Sequence, residues 1–65
     1  MSGQITPEAF IAKSARERLD RHRFRKPKTE LQKDVLVSRC VEIWKTVDHT
    51  CEGAIRRMLD EAKSM

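Results

Sequence analysis

The chain has 65 residues, of which 38% are hydrophobic, 37% charged and only 5% aromatic, so it is at most one small domain near the lower size limit for independent folding. Fourteen Lys and Arg against ten Asp and Glu give a net charge of +4. No apolar run approaches the roughly 20 residues of a transmembrane helix, and residues 1–5 lack the pattern of a secretory signal peptide, so neither is expected.

The positive charge is concentrated in residues 13–28, the basic segment. This segment contains eight Lys and Arg side chains and two acidic ones, which gives it a net charge of +6. Residues 1–12 and residues 29–65 each carry a net charge of −1. A concentrated positive block attracts polyanions, whereas scattered charges mainly provide solubility.

The first predicted helix covers residues 6–25. Thr6 is expected to cap its N-terminus, and Pro7 suits the first helical position because the amide proton that it lacks would have no partner there. Helical spacing places a narrow apolar stripe on Ile11, Ala12, Ala15 and Leu19. Pro27 ends the helix, since the residue before a proline avoids the α conformation.

The second predicted helix covers residues 29–47. It begins with Thr29-Glu30-Leu31-Gln32, which has the form of a capping box. The following residues are rich in β-branched side chains, but a period of 3.6 fits them better than a period of 2. The apolar side chains then share one wide arc, formed by Leu36, Val37, Cys40, Val41, Ile43, Trp44 and Val47. An arc of this width predicts a central helix that packs on two sides.

The third predicted helix covers residues 50–64, with Asp48 or Thr50 as its N-cap. It has the most regular apolar stripe of the chain, formed by Cys51, Ala54, Ile55, Met58, Leu59 and Ala62. Two pairs on its outer face, Glu52 with Arg56 and Arg57 with Glu61, have the spacing of ion pairs within a helix. Gly53 falls on the solvent side and is interpreted as merely tolerated near the helix start.

These elements predict an all-α fold in which residues 1–65 form one small domain and residues 1–5 are flexible. At this size, apolar burial and conformational entropy nearly cancel. Since helices two and three offer more apolar surface than helix one can cover, we expect a helical homodimer. Its predicted interface consists of Val37, Val41, Trp44, Ile55, Met58 and Leu59.

The residues that could carry chemistry do not form a recognisable site. Cys40 and Cys51 lie on apolar stripes, where a free cysteine usually behaves as a small buried hydrophobe. Their spacing with His49 matches no zinc module, and His49 and Cys51 do not face each other on a helix. We therefore expect no metal, no cofactor and no enzymatic activity. Two thiols without a disulfide framework favour an intracellular, cytoplasmic protein.

One short segment resembles a known family. Residues 49–62, with the sequence His-Thr-Cys-Glu-Gly-Ala-Ile-Arg-Arg-Met-Leu-Asp-Glu-Ala, are similar to the second helix of ribbon–helix–helix DNA-binding proteins. The turn glycine of that family is absent before this helix, and Pro27 interrupts the only place for its strand. The chain is therefore assigned to no family.

The basic segment carries the functional prediction. Arginine forks suit phosphate oxygens and base edges, so the segment is expected to bind nucleic acid, with duplex DNA and RNA both open. The predicted contact residues are Arg16, Arg18, Arg21, Arg23, Arg25, Lys26 and Lys28. His22, among these arginines, is interpreted as a solvated side chain at the helix edge. The predicted role is that of a small regulatory or accessory protein.

An alternative is a protein-interaction module whose basic helix docks on a larger acidic protein. In that case Ile11, Leu19 and Phe24 would matter as much as the arginines, because desolvated anchors carry interface energy.

Overall fold

The structure, a computed structural model, describes residues 6–65 and consists of three α-helices. They are α1 (Pro7–Arg21), α2 (Glu30–Thr46) and α3 (Cys51–Lys63). The predicted all-helical class is confirmed, and residues 6–65 contain no strand. The predicted flexibility of residues 1–5 lies outside the described range. None of the three helices combines the length and apolar character that crossing a membrane would require.

Each helix starts at a threonine that caps it, which explains why the starts were predictable. The hydroxyl oxygens of Thr6, Thr29 and Thr50 accept hydrogen bonds from backbone amides three residues further on, at 3.1–3.2 Å. The predicted capping box of α2 is complete, because the Thr29 amide also donates to the Gln32 side-chain oxygen at 3.0 Å. Local chemistry alone therefore sets these three positions.

Helix α1 ends at Arg21, four residues earlier than predicted. His22 adopts an extended backbone conformation, and its amide donates to the Arg18 carbonyl oxygen at 2.9 Å. A continued helix would place Phe24 about 140° away from Leu19, on the side opposite the core. Leaving the helix at His22 allows Phe24 to pack against the core instead. It also relieves the repulsion that Arg21 and Arg25 would experience at helical spacing.

The core combines one side of each helix, with α2 packed against both α1 and α3 as its wide apolar arc predicts. The buried side chains are Ile11, Ala15, Leu19, Leu36, Cys40, Ile43, Ala54, Ile55, Met58 and Ala62. The arc predicted for α2 is wider than the surface it buries, since Val47 is 57% exposed. The two-sided packing is thus achieved with three fully buried residues of α2.

Two residues of the predicted dimer interface are not on the surface. Ile55 is 3% exposed and Met58 is fully buried, because both pack between helices of the same chain. They cannot contact a second copy in this fold. The other four predicted interface residues are half-buried and border the core: Val37, Val41, Trp44 and Leu59.

The ion pairs of α3 connect helices rather than successive turns of one helix. Glu52 accepts from Arg18 of α1 at 3.1 Å, and Glu61 accepts from Arg39 of α2 at 3.0 Å. Arg57 lies 3.8 Å from Asp48 in the α2–α3 turn. The predicted pairs within α3 are therefore wrong, because charged side chains of neighbouring elements lie within reach and occupy these groups.

Gly53 has a structural role that the sequence did not reveal. The Asp48 carboxylate accepts hydrogen bonds from the Thr50 amide at 3.0 Å and the Thr50 hydroxyl at 2.7 Å, which lowers the pKa of Asp48. A Cβ at position 53 would overlap this carboxylate. The interpretation of Gly53 as merely tolerated is therefore wrong, since its missing side chain makes room for the turn.

This packing predicts that the effect of Gly53→Ala depends on residue 48. In an Asp48→Ala background, Gly53→Ala is expected to raise the free energy of unfolding by up to about 1 kcal/mol, because alanine favours a helix over glycine. In the otherwise unchanged chain, the new Cβ displaces the carboxylate, so the gain is smaller or becomes a loss. Urea unfolding of the four chains of this cycle measures the difference. An equal gain in both backgrounds would contradict the proposed close approach.

Candidate nucleic-acid interface

The segment between α1 and α2 turns its cationic side chains outward. Residues 22–29 have no regular secondary structure. His22, Phe24 and Lys28 are half-buried, whereas Arg23, Arg25 and Lys26 are exposed. The chain is extended at His22, and Phe24 packs against the core between two exposed arginines. Burial of Phe24 therefore directs both neighbouring arginines into solvent.

The end of α3 meets this segment and completes a surface groove of about 510 Å³, which we call the basic groove. Its lining residues are His22, Arg23, Phe24, Arg25, Lys26, Lys28, Ala62, Lys63 and Met65. Five of these nine residues are Lys or Arg, and none is Asp or Glu. A concave surface that gathers one sign of charge focuses the electrostatic field on an incoming anion.

Phe24 organises the interior of the groove. The His22 ring packs on it with 4.4 Å between ring centroids and an angle of 54° between the ring planes. The Lys28 ammonium lies over the Phe24 ring at 5.2 Å from its centroid and donates to the backbone oxygen of Met65 at 3.3 Å. His22 is therefore not the solvated side chain that its position at a helix edge predicted.

The structure brings together four of the seven predicted contact residues. Arg23, Arg25, Lys26 and Lys28 line the basic groove. Arg16 instead forms ion pairs with Glu30 and Asp34 of α2. Arg18 and Arg21 line a second, smaller groove of about 210 Å³ that also contains Glu17 and Glu52. These three arginines of α1 therefore lie outside the basic groove, with carboxylates of the same chain beside them.

Ion pairing neutralises the helical body and leaves the excess positive charge at the groove. Among residues 6–65, which include every charged side chain of the protein, seven ion pairs engage six cations and seven carboxylates. Hydrogen bonding to Lys33 lowers the pKa of Asp20, and hydrogen bonding to Glu8 raises the pKa of Lys45. Within the described chain, the cations outside these ion pairs are Lys13, Arg21, Arg23, Arg25, Lys26, Lys28, Arg56 and Lys63. Five of them line the basic groove.

Lys63 is the groove residue that sequence reasoning missed. It lies at the end of α3, far along the chain from the basic segment, in a region whose total charge is slightly negative. Its only local signal is its position in the last turn of a helix, where cations are common because of the helix dipole. Only the packing of α3 brings it to residues 23–28.

The cysteines and His49 take structural positions. Cys40 is fully buried, as its apolar stripe predicts, and burial raises the pKa of its thiol to about 11. Cys51 is half-buried in the first turn of α3. The His49 Nδ1 atom lies 3.0 Å from the Trp44 carbonyl oxygen, so this nitrogen carries the proton and donates to the end of α2. Nowhere in residues 6–65 do three His, Cys, Asp or Glu side chains come together as a possible metal site.

Comparisons with models of protein families, with curated proteins and with solved structures give no match to this chain. The geometry and charge of the basic groove are therefore the basis for inferring a function. Function must be inferred from a site rather than from a helical fold in any case.

The difference between the two cysteines predicts selective thiol labelling. At about pH 8, iodoacetamide is expected to modify Cys51 first, because the Cys40 thiol is buried and stays protonated. Peptide mass spectrometry of a time course measures both rates, and the Cys40→Ser and Cys51→Ser variants assign them. In urea, the two rates should converge. Equal labelling of both cysteines in the folded chain would contradict the burial of Cys40.

Proposed function

We propose that this protein is a small non-enzymatic nucleic-acid-binding protein that contacts phosphates through the basic groove. The observation that carries the proposal is the gathering of five cations, contributed by two separate parts of the chain, around a groove that no Asp or Glu side chain lines. Residues with these properties match the electrostatic footprint expected of a phosphate-binding surface. A regulatory or accessory role in an intracellular compartment fits this activity, since the chain carries free thiols.

The ion pairs of the helices support the groove as the contact surface. Phosphate binding is favoured by the release of counterions from the nucleic acid. Side chains whose charge is already neutralised do not cause this release. Arg16 already faces two carboxylates and Arg18 faces Glu52, so neither offers a full positive charge to a ligand. The groove cations are exposed or half-buried and have no such partner among residues 6–65.

The alternative of an acidic protein partner has less support. Two of the anchors that it requires, Ile11 and Leu19, are 3% and 1% exposed, because they belong to the core. The third, Phe24, is half-buried, with the His22 ring and the Lys28 ammonium against it. A basic surface with only one partly exposed apolar anchor fits a polyanion better than a folded protein interface.

We expect the double variant Arg23→Gln/Arg25→Gln to bind nucleic acid at least about tenfold more weakly, because two phosphate contacts are lost. The dependence of log K on log salt should become shallower by about one to two units. Fluorescence anisotropy with a labelled oligonucleotide at several salt concentrations measures both quantities.

The matched control is Lys13→Gln/Arg56→Gln. It removes the same charge from residues that lie outside the groove. It should lower affinity much less, and circular dichroism should show that both double variants stay helical. Equal losses in the two variants would mean that only net charge matters. Absence of binding by the unaltered chain at low salt would refute the proposal and leave an acidic protein as the partner to test.

The homodimer stays a prediction, now with a smaller expected interface. The half-buried residues Val37, Val41, Trp44 and Leu59 are the part of the predicted interface that a second copy can reach. A Val37→Lys/Val41→Lys variant is expected to dissociate the dimer while leaving the fully buried core unchanged. Sedimentation velocity measures the mass of both chains in solution. A monomeric unaltered chain at high concentration would contradict the prediction.

A further inference from the structure

The basic groove has an apolar side as well as a cationic one. Phe24 contributes a half-buried aromatic ring, and the exposed Met65, just after α3, contributes aliphatic atoms. The cations Arg23, Arg25 and Lys26 are exposed beside it. At about 510 Å³, the groove is much larger than a phosphate group requires and falls within the size range of sites for small organic ligands.

We infer that the basic groove accepts an unpaired base of a single-stranded nucleic acid, stacked over Phe24, while the surrounding cations hold the adjoining phosphates. This inference rests on the proposed function and adds to it the class of nucleic acid. Single-strand binding sites combine a cationic surface that follows the backbone with aromatic rings on which bases stack. The groove supplies both within one concave surface.

Lys28 is positioned to permit this stacking. Its ammonium lies over the Phe24 ring at 5.2 Å from the centroid, so the lysine side chain must move aside before a base can stack on that face. The same ammonium donates to the backbone oxygen of Met65 at 3.3 Å, a long hydrogen bond. In the inferred complex the base takes the place of the ammonium over the ring, and the ammonium turns to an adjoining phosphate.

Duplex DNA does not fit this arrangement equally well. Its bases are paired and stacked inside the helix, so a duplex offers the groove only phosphates and groove edges. The cationic side chains lie on an irregular segment and a helix end, rather than along one helix that could enter a major groove. Only a base that is neither paired nor stacked on its neighbours can contact the apolar side of the groove.

The test compares three labelled ligands of about twelve nucleotides at one salt concentration. They are a single DNA strand, a strand of the same length and charge in which every sugar lacks its base, and a duplex. Anisotropy titration of the unaltered chain should give an affinity for the normal strand about five- to fiftyfold higher than for the abasic strand. The affinity for the duplex should be close to that for the abasic strand when both are expressed per phosphate.

Substitution of the ring localises the effect. Phe24→Leu keeps an apolar side chain against the core but removes the stacking surface, so the preference for the normal strand should fall to about onefold. Phe24→Tyr keeps the ring and should keep the preference. The matched control is Phe10→Leu, because Phe10 is an exposed aromatic residue of α1 outside the groove.

The possible outcomes distinguish failure of the base site from failure of the proposed function. Equal affinity for normal and abasic strands would overturn the base site and leave phosphate binding by the groove intact. A preference that survives Phe24→Leu would also overturn it, since the base would then bind elsewhere. No binding of any ligand would refute the proposed function and this inference together. If Phe24→Leu fails to fold by circular dichroism, the abasic comparison on the unaltered chain decides alone.

Discussion

The groove depends on one packing constraint, which is that Phe24 reaches the core only if α1 ends before it. A helix through Phe24 would carry the ring to the opposite side, so the chain becomes extended at His22 and the ring packs beside the core instead. The two residues on either side of the half-buried Phe24 are exposed to solvent. The positions of Arg23 and Arg25 are therefore a consequence of apolar packing. The packing of Phe24 thus places the neighbouring basic residues along one side of the basic groove.

Ion pairs between helices increase the difference in free positive charge between the basic groove and the rest of the surface. Exposed pairs such as Arg18 with Glu52 add little to stability, since solvent screens them. Their effect on the electrostatic field is larger than their effect on stability, because each pair removes a free positive charge from the helices. The net charge of +4 is then expressed mainly at one end of the molecule. A polyanion approaching the protein would be directed to the groove rather than to α1.

The parts of the structure that depend on local chemistry were predictable from the sequence, and those that depend on packing partners were not. A threonine cap involves only residues within one helical turn, so Thr6 and Thr29 identified the first two helix starts, and Thr50 was one of two candidates for the third. The end of α1 depends on whether the helix continues or Phe24 packs against the core. The spacing of apolar residues in the sequence does not determine which of the two occurs. Arg16 looked like a ligand-binding residue because the carboxylates of α2 that neutralise it are distant in sequence. Lys63 was missed for the same reason, since only the folded chain brings α3 to the basic segment.

The charge that makes the groove suitable for an anion also opposes its own formation. Five cations held around one concavity repel one another, and the contacts that hold Lys28 in place are a ring face and one long hydrogen bond. A phosphate chain bound as proposed would remove this repulsion, so binding would stabilise the conformation of residues 22–29. The three-helix core is small and gains little from further burial. In a protein of this size, a ligand at the groove would therefore contribute to the stability of the segment that binds it.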